Sequence, residues 1–125
     1  MARRSADQLA RLRKRFDAVP KAVRAAVRPV LDKSAEELVT RMQALAPVDD
    51  GDLRDSIRAE DGDHELSVRV QAGDDGAFYA RWVEFGTANT PANPFFFVAY
   101  RLSKKRLQRR IKRAIGKSVR EAWAQ

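Results

Sequence analysis

Leu9, Leu12 and Phe16 recur at helical spacing among basic residues and predict a short helix over residues 5–17. Pro20 then either interrupts that helix or opens a new one at its first position, where the missing N–H costs nothing. From Val23 the apolar positions run Val23, Val27, Val30, Leu31, Leu38, Met42 and Leu45, one stripe at three-and-four spacing. Pro29 lies inside the stripe and predicts a kink, since the pattern continues beyond it. Helical from Pro20 to Leu45, the element is about 39 Å long at 1.5 Å per residue. Its stripe is too narrow for burial all round and calls for a partner surface on one side.

Ala46-Pro47 stops the helix, and Asp49-Asp50-Gly51-Asp52 reads as a turn in which Asp side chains cap backbone N–H groups. Two runs follow, Leu53–Arg58 and Glu65–Gln71, with Asp61-Gly62 between them as a hairpin signal. Leu66, Val68 and Val70 alternate with polar residues, the pattern of a half-buried strand. Asp74-Asp75-Gly76 marks another turn.

Residues 77–85 are short and aromatic, with Phe78, Tyr79, Trp82 and Phe85 spaced for a short helix, a third strand being the alternative. After a loop of Gly, Thr, Asn and Pro, Pro94 opens the last element. Phe95, Phe96, Phe97 and Val98 supply its apolar start, and Leu102, Leu107, Ile111, Ile115, Val119 and Trp123 continue a helical stripe. This is a basic amphipathic helix of about 30 residues, roughly 45 Å. The predicted fold class is α+β: a long N-terminal helix, a small antiparallel sheet, a short aromatic helix or strand, and a long basic C-terminal helix. A single domain spans residues 1–125, with 1–19 the one stretch that could stand apart as a short or flexible helix. Helices longer than so small a sheet project, and projecting apolar stripes imply a partner.

A chain of 125 residues, 44% hydrophobic and 34% charged, has a globular balance on the polar side. The absence of cysteine excludes disulfides, thiolate metal sites and Cys nucleophiles. No apolar run approaches the length of a membrane span, and the charged N-terminus lacks the apolar stretch of a secretory signal, so a cytosolic product with no membrane contact is expected. The net charge of +8 is unevenly distributed. Residues 1–46 carry eleven Lys/Arg against five Asp/Glu, residues 47–93 four against eleven, and residues 94–125 ten against one. Basic ends and an acidic middle can attract nucleic acid or other copies of the chain.

Catalytic chemistry is hard to assemble from these residues. His64, the one histidine, stands in a turn or strand start with no recognisable triad partners. The acidic cluster at 49–52 lacks the alternating ligand spacing and the terminal Glu of a calcium loop. Glu84, set among aromatic residues, would suit an acid catalyst, but no second carboxylate of matching role stands near. A buried ion pair or a contact between subunits is the better reading. Gly73 and Gly76 flank acidic residues, which would repel phosphate. No catalytic, cofactor or metal site is expected. The basic helix is the main functional candidate: Arg101, Lys105, Arg109, Arg110, Lys112, Arg113 and Lys117 could meet DNA phosphates or the acidic middle of a neighbour.

Two stretches carry a family resemblance. Residues 46–57, APVDDGDLRDSI, resemble an A-P-x-x-T-G-x-L-x-x-S-I segment, with Asp50 in place of Thr. Tyr79-Ala80-Arg81-Trp82-Val83-Glu84-Phe85-Gly86-Thr87, followed by Pro91-Ala92-Asn93-Pro94-Phe95, resembles a Y-A-x-x-V-E-F-G-T … P-A-x-P-F signature. Both resemble the tail-component, neck or tail-completion proteins of long-tailed phages, prophages and gene transfer agents. The resemblance implies a non-catalytic ring subunit at the head–tail junction of a virion, made in the host cytoplasm. Its implied partners are further copies, head-closure or adaptor proteins, and tail-terminator or tail-tube proteins, with transient contact to DNA in the channel. In that setting Tyr79, Trp82, Glu84, Phe85, Gly86, Thr87, Pro94 and Phe95 would form a packed corner at the start of the last helix. Trp82, Phe85 and Phe95 would be its anchors, and Glu84 could pair with an Arg of the same or the next subunit. A tail terminator or minor tail protein, and a non-specific DNA-binding protein, are the alternative readings.

Overall fold

The computed structural model describes residues 2–47, 51–74 and 79–124, the side chains of residues 2 and 3 excepted. Asp49 and Asp50 of the first predicted turn, and Asp75, Gly76 and Phe78 further on, lie outside the described residues. The order of elements is α1 (Ala2–Leu45), α2 (Asp52–Ser56), β1 (Arg58–Asp61), β2 (Val68–Gln71), α3 (Ala80–Phe85) and α4 (Phe96–Ala124). The α+β architecture expected from the pattern is present.

The expected division near Pro20 is not. α1 runs for 44 residues with both Pro20 and Pro29 inside it. An interior proline removes a hydrogen bond and costs about 3 kcal/mol or more. Here the apolar stripe stays in phase across both prolines. Phe16 before Pro20 and Val27 before Pro29 share a face with Leu38 and Met42, and packing of that face on α4 offsets the cost. The two helices run antiparallel: Phe16 meets Trp123, Glu37 meets Arg106 and Arg110, and Met42 and Ala46 share a cluster with Phe95 and Ala99. Small buried residues along the seam, Ser34, Ala35, Ala99, Ser103, Ser118 and Ala122, let the helices approach closely.

The run Leu53–Arg58 is also not a strand. Leu53, Ser56 and Ile57 are all buried, at the three-and-four spacing of a helical turn, and the Ser56 hydroxyl donates to the Leu53 carbonyl at 2.6 Å. The hairpin begins only at Arg58, with Arg58 opposite Gln71 and Asp61 opposite Val68. Its connection is longer than a two-residue turn: residues 62–67 close through Gly62 N–H to Ser67 carbonyl at 2.8 Å and Ser67 N–H to His64 carbonyl at 2.9 Å. His64 is a turn residue whose Nδ1 accepts from the Leu66 N–H at 3.1 Å. Leu66 therefore sits in the connection and not in β2.

The core lies at one end of the α1–α4 pair. Leu38, Met42 and Ala46 of α1 meet Leu53, Ile57, Ala80, Phe95, Ala99 and Leu107, with Val70 of the hairpin packed alongside. Away from that end the structure thins to two helices and then to one. Every residue from Arg4 to Asp17 is exposed. The chain exposes 9401 Å² at a mass of 14.1 kDa, whereas a compact monomer of that mass exposes about 6,700 Å².

Because the core is lopsided, sensitivity to substitution should be too. Phe95→Ala, at 1% exposure, should cost about 3–5 kcal/mol in denaturant unfolding. Leu9→Ser, at 66% exposure, should change stability by no more than about 0.5 kcal/mol.

Candidate functional site

Residues 79–97 form a helix cap built from a distant carboxylate. α3 ends where the Gly86 N–H donates to the Trp82 carbonyl at 2.7 Å. Gly86 takes φ 79 and ψ 172, a conformation that only glycine adopts readily. A Cβ there would also lie 2.8 Å from the Ala92 nitrogen, because the loop folds back against it. The return is held by Thr87 N–H to Thr90 carbonyl at 2.9 Å, Thr90 N–H to the Thr87 hydroxyl at 3.1 Å, and Asn93 N–H to Val83 carbonyl at 2.8 Å. Exposed Pro94 follows, and Phe95 drops into the core.

This fold-back delivers the start of α4 to Glu84. The Phe96 N–H donates to Glu84 Oε2 at 2.9 Å and the Phe97 N–H to Oε1 at 3.0 Å. The first N–H groups of a helix have no partner within it, and its N-terminus carries partial positive charge. One buried carboxylate satisfies two of them. Within the chain, then, Glu84 makes an α3-to-α4 clamp to backbone.

The aromatic anchors also differ from expectation. Phe95 is buried and Tyr79 half-buried against the core, but Trp82 is 52% and Phe85 65% exposed. Phe85 lies 6.1 Å from the ring of Phe97, itself 48% exposed, so these two form a surface patch at the core end.

The basic face of α4 divides in two. Arg110 donates to Glu37 of α1 at 2.8 Å, with Arg106 at 3.8 Å from the same oxygen. The Arg110 hydrogen bond, reinforced by the charges of Arg110, Arg106 and Lys33 against partial burial, lowers the Glu37 pKa. Lys117 lies 3.9 Å from Glu121. Arg101, Lys105, Arg109, Lys112 and Arg113 are exposed, with no ion pair to a described residue. Arg106, Arg109, Arg110 and Arg113 line one shallow cleft.

The acidic hairpin does not wait for a neighbour's cations. Arg28 bonds Asp61 and the Glu65 carbonyl, Arg24 reaches Glu65 at 3.3 Å, Arg58 reaches Glu60 at 2.7 Å, and Arg69 reaches Asp63 at 3.4 Å. Arg24 and Arg28 went unnoticed in the sequence because nothing local shows that the hairpin lies along α1. The arginine pair, four residues apart beside the apolar stripe, was the available sign.

Residues 10–86 match the family described as "Bacteriophage HK97-gp10, putative tail-component". The match covers more than half of the 125 residues. The chain belongs to this family. No curated protein and no solved structure matches it. The tail-component match includes α1 from Ala10, both strands, α3 and Glu84, and stops at Gly86, before the loop and α4. No described helix is long and apolar enough to cross a membrane.

Two outcomes follow from the carboxylates. Glu84→Gln keeps the shape but offers one acceptor to two N–H donors, so one bond is lost and the other loses its charge, and it should destabilise the fold by about 1–3 kcal/mol in denaturant unfolding. For Glu37 the folded pKa lies below the unfolded one, so its stabilisation is present at neutral pH and is lost as pH falls through the folded value. Wild type should therefore unfold at higher denaturant than Glu37→Gln at neutral pH, the gap closing below about pH 4.

Proposed function

We propose that this tail component is a non-catalytic subunit of the head–tail junction, repeated around a ring in the neck or tail-completion layer of a tailed phage, prophage or gene transfer agent. The observation that carries the reading is surface area. The chain exposes 9401 Å², roughly 2,700 Å² more than a compact monomer of its mass. A standard protein interface removes about 800 Å² from each partner, so the excess suffices for two neighbours. A subunit of a ring has two neighbours, and a stacked ring has contacts above and below as well. Head-closure or adaptor proteins on one side and tail-terminator or tail-tube proteins on the other are the partners this position brings.

The cleft lined by Arg106, Arg109, Arg110 and Arg113 favours a second role within the same ring, contact with phosphates of DNA in the channel. Binding would be weak, indifferent to sequence and steeply weakened by salt. A gel shift at low salt that shows no complex excludes this role without touching the structural one.

Electron microscopy of particles carrying a small tag on Ala124 should place density at the head–tail junction with rotational symmetry. Density at the distal tail tip, or none in the particle, would refute the assignment.

A further inference from the structure

Along one flank of α4 runs an apolar row, Ile111, Ile115, Val119 and Trp123, at four-residue steps. The row is about 18 Å long at 1.5 Å per residue. It starts half-buried at Ile111, which lines a groove with Val68 and Val70 of the hairpin. Beyond the hairpin it comes out into solvent: Ile115, Val119 and Trp123 are 38%, 36% and 38% exposed. Phe16 meets Trp123 edge-on with ring centroids 5.2 Å apart, and the Arg15 guanidinium lies 5.7 Å from the Trp123 ring. Beside the row the helix carries Gly116, although glycine inside a helix is less stable than alanine. Nothing among the described residues calls for it. Its backbone is helical, and a Cβ there would meet only Arg120 Nη1, at 3.4 Å. Neighbours on a helix surface stand three and four residues apart. For Gly116 these are Lys112, Arg113, Val119 and Arg120. The three cations are exposed and make no ion pair with a described residue. The one acid of α4, Glu121, lies 3.9 Å from Lys117. On the adjoining stretch of α1 the one acid is Asp17, with Arg13, Lys14, Arg15 and Lys21 within four residues of it.

We infer that this flank of α4 receives an amphipathic helix of another protein of the particle, one whose apolar face is edged with carboxylates. Its backbone comes close over Gly116, and its apolar side chains rest on Ile115, Val119 and Trp123. The inference rests on the chain's place in a phage particle and not on the ring. A helix backbone can approach closely where no side chain stands, as the small residues of the α1–α4 seam already allow. Half-exposed aliphatic side chains suit an apolar helix face and give a phosphate chain nothing to bind, which separates this surface from the arginine cleft, although Arg113 borders both. The unpaired cations select carboxylates on the partner. A second copy does not supply them. On α1 the exposed apolar residues Leu9, Leu12 and Phe16 stand among Arg11, Arg13, Lys14 and Arg15, and α4 is itself basic. The acids of the hairpin are already held by arginines, and Asp55 of α2 lies 3.6 Å from Arg54. The remaining helices, α2 and α3, have five and six residues and are too short to span the row.

The chain contains no cysteine, so Val119→Cys can carry a single photoactivated cross-linker. In particles assembled with the full-length variant, illumination should join it to a peptide of a different particle protein. Mass spectrometry should find that peptide richer in Asp and Glu than in Lys and Arg, with apolar residues three and four apart. An adduct with a second copy, with DNA or with a basic peptide, or no adduct at all, would overturn the proposal. Gly116→Ala tests the close approach. In the free chain it should raise the Tm by about 2–4 °C. In particles it should cut the Val119→Cys adduct about tenfold, because the added methyl holds the partner's backbone away. An unchanged adduct would refute the close approach, and a lowered Tm would mean that the fold itself needs the glycine; either result sinks the idea. Lys112→Glu combined with Arg120→Glu should reduce the adduct by a similar factor, and no reduction would remove the acidic partner. All of these results are read in particles that contain the protein, so the tail role stands whichever way they fall. Wild type missing from particles would end both the tail role and this contact.

Discussion

Packing of one face of α1 against α4 is the constraint on which the other features depend. It carries α1 across two prolines that local propensity would use as breaks. It sets the antiparallel register in which Glu37 finds Arg110 and Phe16 finds Trp123. It also forces the lopsided core. Two long helices can be covered by a four-residue-stranded hairpin and two short helices only over part of their length. The remaining stripe stays in water, and burial of such a surface is the dominant favourable term in association.

Much of this was legible in the residues, and the failures have a common cause. Long periodic stripes announced α1 and α4, and alternation at Val68 and Val70 announced β2, because those signals repeat over many residues. Pro20 misled because its local cost is known while the compensating contact is a hundred residues away at Trp123. Leu53, Ser56 and Ile57 carry the spacing of a helical turn, yet so short a run reads equally as a strand. Glu84 drew attention for its aromatic setting, but its partners are backbone N–H groups of Phe96 and Phe97, which no side-chain pattern displays. The resemblance implies Trp82 and Phe85 as anchors, but a motif does not say which rings face inward, and both are exposed in the single chain.

Charge tells a similar story at the level of segments. Basic ends around an acidic middle suggested that one copy's last helix would meet another copy's hairpin. The fold satisfies the hairpin from within, through Arg24, Arg28, Arg58 and Arg69. These are exposed pairs that contribute little to stability individually. Their effect is to direct the surplus elsewhere: positive charge remains on the outer face of α4 and the start of α1. A segment sum cannot show this, because it counts neutralised and free charges alike.

The clamp at Glu84 and the uncovered ends belong to one mechanical scheme. In a ring the curvature of the assembly is set by the angle between the surfaces at which each subunit meets its neighbours. The start of α1 belongs to one helix of 44 residues, so its direction is fixed by the α1–α4 seam. The exposed rings of Phe85 on α3 and Phe97 on α4 lie side by side, and a flexible joint between those helices would let them separate. Glu84 removes that freedom, because both its oxygens are bonded to the first turn of α4 and its backbone belongs to α3. Gly86 and the Thr87–Thr90 return make the joint short enough for those bonds to form. A small rotation per subunit accumulates around a ring, so the proposed ring would gain from a rigid corner in each subunit. The residues that resemble a family signature are, on this account, those that hold one angle.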